Sequence, residues 1–228
     1  GVGRSWLRSG STGAMLRRAR GAQEKRYFGA SLAFLGDLNG DGKDEVAVGA
    51  PGFDGGLNAP AAEPLVDAGQ LRIYSRKNRL AYRKIVGDFA KGEFAASVAG
   101  MTDLDGDGVS DLLVGAPGEP RSTSDTTRTG AVHLLSGASK TAPPIARLIG
   151  RKTAQRFGTT VRNVGRFDTD VNDDILVTSE KNPVGGVENA GGVEVISGLD
   201  LASVLLEVGG AANDRLGASS ASAGTDGS

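Results

Sequence analysis

The chain has 228 residues and a formal net charge of −1, so there is no charge excess to favour binding to nucleic acid or an anionic membrane. It contains no cysteine, which excludes disulfides and thiolate metal sites, and no apolar run reaches the ~18 residues of a membrane span. Glycine accounts for 36 residues, about twice its usual share of ~7%, so the sequence predicts a folded domain rich in turns.

A four-residue signature recurs about every 60 residues. Its copies are Phe28-Gly29-Ala30-Ser31, Phe94-Ala95-Ala96-Ser97, Phe157-Gly158-Thr159-Thr160 and Leu216-Gly217-Ala218-Ser219. Fixed offsets inside repeats of unequal length indicate a constant framework that carries variable loops. We therefore divide the chain into the end of one repeat, three repeats and the start of another, at residues 1–21, 22–87, 88–150, 151–209 and 210–228.

Each repeat is predicted to form four short strands. Two strands are predicted at Ser5–Ser9 and Ala14–Ala19 in the partial repeat at the start of the chain. The four strands of the first complete repeat are predicted at Ser31–Leu35, Glu45–Val48, Gln70–Tyr74 and Ala81–Val86. Counterparts of its third and fourth strands are predicted at 131–135 and 145–149 in the second repeat and at 193–196 and 204–208 in the third. Four strands per repeat predict an all-β fold, a β-propeller of four-stranded blades. A sandwich of short strands is the alternative, although it would not need the fixed offsets. The chain covers about three and a half blades, so we expect a piece of a longer polypeptide or, as the rival, a ring completed by separate chains.

Two Asp-rich turns follow the first strand of the first and second repeats. Both place oxygen-bearing residues at alternate loop positions with glycine at position 6, as a hard cation such as Ca²⁺ requires. The candidate ligands are Asp37, Asn39, Asp41, the carbonyl of Lys43 and Glu45 in one turn, and Asp103, Asp105, Asp107, the carbonyl of Val109 and Asp111 in the other. The alternative is a metal-free Asp-Gly hairpin, although several carboxylates within nine residues repel one another unless a cation lies between them.

The corresponding turn of the third repeat, Arg166–Asp174, departs from this pattern. Arg166 occupies position 1, where its charge could neutralise Asp168 and Asp170, and Val171 occupies position 6. We therefore expect this turn to be empty or to bind metal weakly, so that two calcium sites are predicted.

These motifs resemble the FG-GAP repeats of integrin α-subunit propellers and their bacterial relatives. The resemblance rests on Phe28-Gly29, the turn from Asp37 to Glu45 and Gly49-Ala50-Pro51, together with their equivalents in the second repeat. It implies a propeller, usually of seven blades, in which the calcium loop joins the first and second strands of a blade. Carried over residue by residue, it implies Ca²⁺ at Asp37, Asn39, Asp41 and Glu45, and at Asp103, Asp105, Asp107 and Asp111. It does not identify the molecule that the propeller binds.

Long loops at Gly52–Ala68, Gly118–Thr129 and Lys181–Gly191 are predicted to lie on the face opposite the calcium loops. Because recognition commonly uses variable loops on a rigid scaffold, we expect a protein or glycan ligand on this face, with passive loops as the alternative. His133 alternates with apolar neighbours and is expected to face solvent or to lie at a sheet edge, while Trp6 and Tyr74 are expected to pack between sheets.

Three functions are compatible with these features. The first is a calcium-binding, non-catalytic module for extracellular or cell-surface adhesion, and the abundance of Arg, Ala and Gly indicates a bacterial source. The second is an accessory propeller of a larger secreted hydrolase or lyase whose catalytic part lies elsewhere. The third, catalysis by the carboxylate clusters themselves, is disfavoured because they lie in solvated turns with a metal-ligand pattern.

Overall fold

The described part of the chain contains β-strands and turns, which confirms the predicted all-β class. The computed structural model describes residues 2–21, 24, 26–55, 64–75, 81–138, 144–183, 185 and 187–219. The strands are β1 (Arg4–Arg8), β2 (Met15–Arg20), β3 (Ser31–Phe34), β4 (Val46–Ala50), β5 (Gln70–Tyr74), β6 (Arg83–Val86), β7 (Ser97–Met101), β8 (Asp111–Ala116), β9 (Ala131–Leu135), β10 (Ala146–Ile149), β11 (Phe157–Asn163), β12 (Ile175–Ser179), β13 (Gly192–Ile196) and β14 (Ser203–Val208). Among these described residues, no helix has the length and apolar character needed to span a bilayer.

The strands form three four-stranded sheets and one two-stranded sheet. Strands β3 to β6, β7 to β10 and β11 to β14 each follow one another as an antiparallel meander, and β1 pairs with β2. Because each meander occupies one sequence repeat, these sheets are the predicted propeller blades. The proposed repeat boundaries stay a prediction, as does the number of blades in the whole protein.

The hydrophobic core lies between neighbouring sheets. Along β8 every residue is buried, since alternate side chains face opposite neighbours. Leu112 and Val114 pack towards Leu71 and Ile73 of the preceding sheet, whereas Leu113 belongs to the cluster shared with the following sheet. A central blade is therefore buried on both faces, which explains its continuous apolar run.

A repeated hydrogen bond joins each of the first two four-stranded sheets to the next one. The hydroxyl of Ser31 donates to the carbonyl of Ala95 at 2.8 Å, and that of Ser97 donates to the carbonyl of Gly158 at 3.0 Å. A Cβ atom on Gly115 would lie 2.1 Å from the Gly158 oxygen. The glycine of the second Gly-Ala-Pro motif thus makes room for a backbone carbonyl of the next sheet.

Two side-chain predictions are wrong. His133 is buried, with Nε2 2.9 Å from a carboxylate oxygen of Glu119 and its ring edge-on to Phe94. The apolar alternation around His133 suggested a solvated face, but the chain after β8 folds back over that face and supplies Glu119. Tyr74 is buried as expected, whereas Trp6 is more than half exposed.

Candidate cation-binding loops

Three acidic loops, residues 37–45, 103–111 and 166–174, join the first and second strands of the four-stranded sheets. We call them the first, second and third acidic loops. The first two bend at glycines in the left-handed region, including Gly42 at φ 76° and Gly108 at φ 86°. No residue of the third loop has a positive φ, so its backbone follows a different path from that of the first two loops. This path accommodates Val171 at the position where the other two loops have glycine.

The carboxylate at position 1 shapes each of the first two loops. Asp103 accepts backbone N–H groups from Gly106 and Gly108, each at 2.7 Å, and Asp37 accepts the N–H of Gly42 at 2.6 Å. These backbone hydrogen bonds lower the pKa of both Asp37 and Asp103. Both carboxylates are therefore ionised at neutral pH and fixed in position before any cation arrives.

The buried acid at position 9 joins each loop to the turn after the third strand of its sheet. Asp111 accepts the Leu104 N–H at 2.8 Å through one oxygen and the Gly137 N–H at 3.2 Å through the other. Asp174 accepts the Gly198 N–H at 3.1 Å in the same way. Burial raises the pKa of Asp111 to about 6. Burial disfavours the ionised form of Asp111, and a cation in the second loop would therefore stabilise that form.

Three of the predicted ligands in the second loop come together. Asp103, Asp105 and Asp111 each offer a carboxylate oxygen, and these oxygens lie within 4.8 Å of one another. Two ligands of one calcium ion can be at most about 5.2 Å apart, because Ca²⁺–oxygen distances reach about 2.6 Å. The set of hard oxygen donors and its spacing therefore fit Ca²⁺. Asp107 stands beside this cluster and accepts a hydrogen bond from Ser136 at 3.0 Å.

In the first loop, Asn39 takes the place of Asp105. Its amide donates to the carboxylate of the buried Glu45 and, at 3.2 Å, to the hydroxyl of Ser75. Asp37 and Asp41 are half-buried at the loop, and Lys43 is exposed. At the predicted ligand positions the first loop thus offers three carboxylates where the second offers four, and it closes partly through its own amide.

The predicted ligands of the second loop differ in their exposure to solvent. Asp103, Asp105 and Asp107 are exposed and Asp111 is buried. The side chain of Val109 packs against the core between the first two four-stranded sheets. That contact anchors the loop beneath its carboxylates.

The third loop was expected to be empty or to bind metal weakly, and in the structure Asp168, Asp170 and Asp174 form the same kind of cluster, with oxygens within 4.8 Å of one another. Within the described residues, Arg166 forms no ion pair with Asp168 or Asp170, so neutralisation by this arginine is not observed. Whether this loop holds a cation stays a prediction.

A serine after the third strand reaches the acidic loop in each four-stranded sheet, and the sequence analysis missed it. Ser75 contacts Asn39, Ser136 donates to Asp107, and Ser197 donates to Asp170 at 3.1 Å. Serine recurs directly after β5, β9 and β13, and this recurrence in the sequence could have predicted a shared role at the acidic loops.

Comparison with known proteins identifies the repeat family of two segments of this chain. The FG-GAP repeat model matches residues 28–74 and 94–135. Integrin alpha-8 of Gallus gallus is 31% identical over 168 residues, which make up 69% of this chain and 15% of that protein. Integrin alpha-IIb of Homo sapiens is 34% identical over 107 residues, or 45% of this chain and 10% of that protein. Integrin alpha pat-2 of Caenorhabditis briggsae is 36% identical over 152 residues, or 62% of this chain and 12% of that protein.

The matched region thus spans no more than 15% of the length of these three relatives. The family match includes the first and second acidic loops and most strands of the sheets that carry them. Residues 28–74 and 94–135 of this chain are FG-GAP repeats, and they form blades of a β-propeller.

Proposed function

We propose that the chain is a calcium-binding, non-catalytic propeller module that binds a protein or a glycan outside the cell. The carboxylate cluster of Asp103, Asp105 and Asp111 carries this proposal, because it offers three converging hard ligands at the end of a rigid sheet. The similarity to integrin alpha subunits supports an adhesive role at the cell surface. The single histidine is buried against Glu119, which agrees with a role in packing rather than in acid–base chemistry.

Calcium has a structural role in this proposal. The ligand sets are Asp37, Asn39, Asp41, the Lys43 carbonyl and Glu45 in the first loop, and Asp103, Asp105, Asp107, the Val109 carbonyl and Asp111 in the second. Extracellular modules commonly bind Ca²⁺ with Kd values of ~10⁻⁴–10⁻³ M, which suit extracellular calcium. At about 1 mM calcium and a Kd of about 0.1 mM, each site adds about 1.4 kcal/mol to the free energy of unfolding.

Calorimetric titration with Ca²⁺, together with thermal melting in calcium and in chelator, tests the metal proposal. We expect two sites, a higher melting temperature in calcium, and the loss of one site in Asp103→Asn. Asp125→Asn removes an exposed carboxylate from the opposite face and should leave both sites intact. A wild-type protein that binds no calcium, or that melts identically in chelator, would refute the proposal.

The ligand is placed on the face opposite the acidic loops, where a groove of about 250 Å³ opens. The groove is lined by the exposed ring of Tyr27, by Pro51 and Gly52, and by the acidic side chains of Asp67 and Glu93. Tyr27, Asp67 and Glu93 all adopt positive φ angles between 51° and 56°. The same backbone angle recurs at equivalent positions of the third repeat, at Arg156 and Asn189, so the repeated framework fixes the shape of this groove.

The face is tested by replacing residues 52–68 with a short Gly-Ser bridge and probing a panel of immobilised matrix proteins and glycans. Part of this segment, residues 56–63, lies outside the described residues. We expect the replacement to abolish binding to any panel member that the wild type recognises and to preserve the calcium stoichiometry. Val171→Ser and Leu199→Ser alter exposed residues at the acidic-loop end and should bind as the wild type does. Loss of binding in those variants with retention in the replacement would place the ligand on the other face.

A further inference from the structure

Positive charge is concentrated on one part of the face opposite the acidic loops, although the whole chain carries a net charge of −1. Five exposed cationic side chains lie on the loops before β7, after β8 and before β11, and we call them the basic strip: Lys91, Arg121, Arg128, Arg151 and Lys152. The exposed acids on the same three loops are Asp88 and Asp125. The exposed surface of these loops therefore has an excess of positive charge.

Hydrogen bonds to backbone carbonyls join the loops that carry the basic strip. Arg128 donates through Nη1 to the carbonyl of Lys91 at 3.2 Å and through Nη2 to that of Ala90 at 3.0 Å, which ties the loop after β8 to the loop before β7. Arg121 donates through Nη2 to the carbonyl of Arg151 at 2.7 Å, which ties the same loop to the one before β11. The strip is therefore one continuous surface that reaches from the second four-stranded sheet to the third.

The loop after β8 holds the two middle members of the strip in a fixed shape. The N–H of Arg121 donates to the carbonyl of Thr127 at 3.0 Å, as in a short hairpin. At the tip, the N–H of Asp125 donates to the hydroxyl of Ser122 at 2.9 Å. Since the loop is ordered by its own hydrogen bonds, a ligand would not have to pay for arranging it.

Most of the strip is not neutralised inside the protein. Within the described residues, Arg151 is the member that forms an ion pair, with the buried Glu194 at 2.7 Å, and its own side chain is 63% exposed. The Nζ atom of Lys152 donates to the carbonyl of Pro183 at 2.7 Å, which is an uncharged acceptor. The positive charge of the strip is thus available to a partner in solution.

The repeated framework does not require these charges. Arg128 occupies the position that Asp67 and Asn189 occupy in the first and third repeats, and Arg151 occupies that of Asp88. Cations gathered on neighbouring loops repel one another, which lowers stability. A negatively charged partner would remove that repulsion, and this gives the strip a reason to exist that packing does not supply.

We propose that the basic strip binds a sulfated polysaccharide chain. Arginine and lysine suit oxyanions such as sulfate, and an elongated polyanion can contact several members of the strip at once. Hydroxyl side chains on the loop after β8 supply further donors for sulfate and sugar oxygens: Ser122, Thr123, Ser124, Thr126 and Thr127. The three loops expose no large apolar side chain of the kind that anchors protein–protein interfaces, which favours a glycan over an acidic protein. This inference rests on the proposed function only for a ligand outside the cell.

Binding of the whole chain to an immobilised heparin decasaccharide, in about 1 mM calcium and about 50 mM salt, tests the ligand class. We expect saturable binding that weakens at least roughly tenfold in about 0.3 M salt, because exposed charges are screened. The desulfated decasaccharide, which keeps its carboxylates, and a glutamate decapeptide should each bind at least roughly tenfold more weakly. No binding of the sulfated chain, or equal binding of either control, would overturn the proposal.

Variants test the location of the site. Lys91→Gln combined with Lys152→Gln removes two charges that form no ion pair in the described structure, and it should weaken binding roughly tenfold. Arg18→Gln combined with Lys84→Gln removes the same charge from exposed positions on β2 and β6 and should stay within about twofold of the wild type. Equal losses in the two double variants would show that net charge and not the strip is responsible, which would overturn the site.

Asp125→Asn tests the same electrostatic attraction by a gain of affinity, which a misfolded variant cannot produce. Asp125 interacts electrostatically with Arg121, so we expect its removal to tighten binding about two- to threefold. Unchanged or weaker binding would count against the strip. Calcium stoichiometry measured on the same samples separates the two proposals: two calcium sites without decasaccharide binding would refute this inference and leave the calcium-binding module standing.

Discussion

Replacing Gly115 with alanine tests the close contact between the second and third four-stranded sheets. The new Cβ atom would lie 2.1 Å from the Gly158 carbonyl oxygen and 2.2 Å from the Ser97 hydroxyl oxygen. A comfortable carbon–oxygen contact is about 3.3 Å, so the carbonyl would have to retreat by about 1.2 Å. Such a retreat would break the hydrogen bond between Ser97 and Gly158, which measures 3.0 Å here.

The expected loss combines two contributions. Overpacking a tight site costs about 1–3 kcal/mol, and a lost hydrogen bond costs about 0.5–1.5 kcal/mol. Alanine also restricts the unfolded chain, which offsets about 0.4–1 kcal/mol of that loss. We therefore expect Gly115→Ala to lower the free energy of unfolding by about 2–3 kcal/mol.

Urea unfolding followed by far-ultraviolet circular dichroism measures this change. Ser97→Ala removes only the hydrogen bond and should cost about 1 kcal/mol. Gly10→Ala is the matched control, because nothing lies within 4 Å of its Cβ position and its φ is not positive. A Gly115→Ala protein as stable as Gly10→Ala would show that the carbonyl of the next sheet does not require a glycine here.

Two further changes probe the core and its buried charges. Glu119→Ala leaves the buried His133 and the partly buried Arg147 without their shared carboxylate, so we expect a loss of about 2–4 kcal/mol, and a smaller loss for Glu119→Gln, by urea unfolding. Leu113→Ala should cost about 2–5 kcal/mol in the same assay, whereas Leu199→Ala at an exposed turn should stay within about 0.5 kcal/mol of the wild type. Equal losses for the two leucine variants would contradict their assigned burial, and equal losses for the two Glu119 variants would show that a hydrogen-bonding side chain is not needed there.

The strands were predictable from sequence because the repeats confirm one another. A single run such as Gln70–Tyr74 is ambiguous, but its counterparts at the same offset in two other repeats remove the ambiguity. Strand bounds in the structure lie within one or two residues of those expected, as at β2, which runs from Met15 to Arg20. The positions of the acidic loops follow for the same reason, since a loop between two fixed strands has little freedom.

Side-chain environments were harder to predict, because they depend on chain segments remote in sequence. His133 is buried by Glu119, which belongs to the preceding long loop, and no local pattern indicates that contact. The third acidic loop was expected to bind metal weakly or not at all because Arg166 occupies position 1 and Val171 occupies position 6. The structure shows that a different backbone path still brings Asp168, Asp170 and Asp174 together.

Both ends of the sheets carry contacts within a blade and contacts between blades, as where Arg83 of the first four-stranded sheet donates to the Ser136 carbonyl after the third strand of the second at 2.8 Å. At the acidic-loop end, Asp111 ties its loop to the turn at Gly137 within one sheet. At the other end, Arg156 contacts Glu93 of one repeat at 2.7 Å and Glu180 of the next at 3.0 Å. A cation in an acidic loop would therefore strengthen a blade internally, whereas on the opposite face the ion pair between Arg156 and Glu93 joins two blades. It follows that calcium should affect ligand binding through the stability of whole blades and not through direct contact with the ligand.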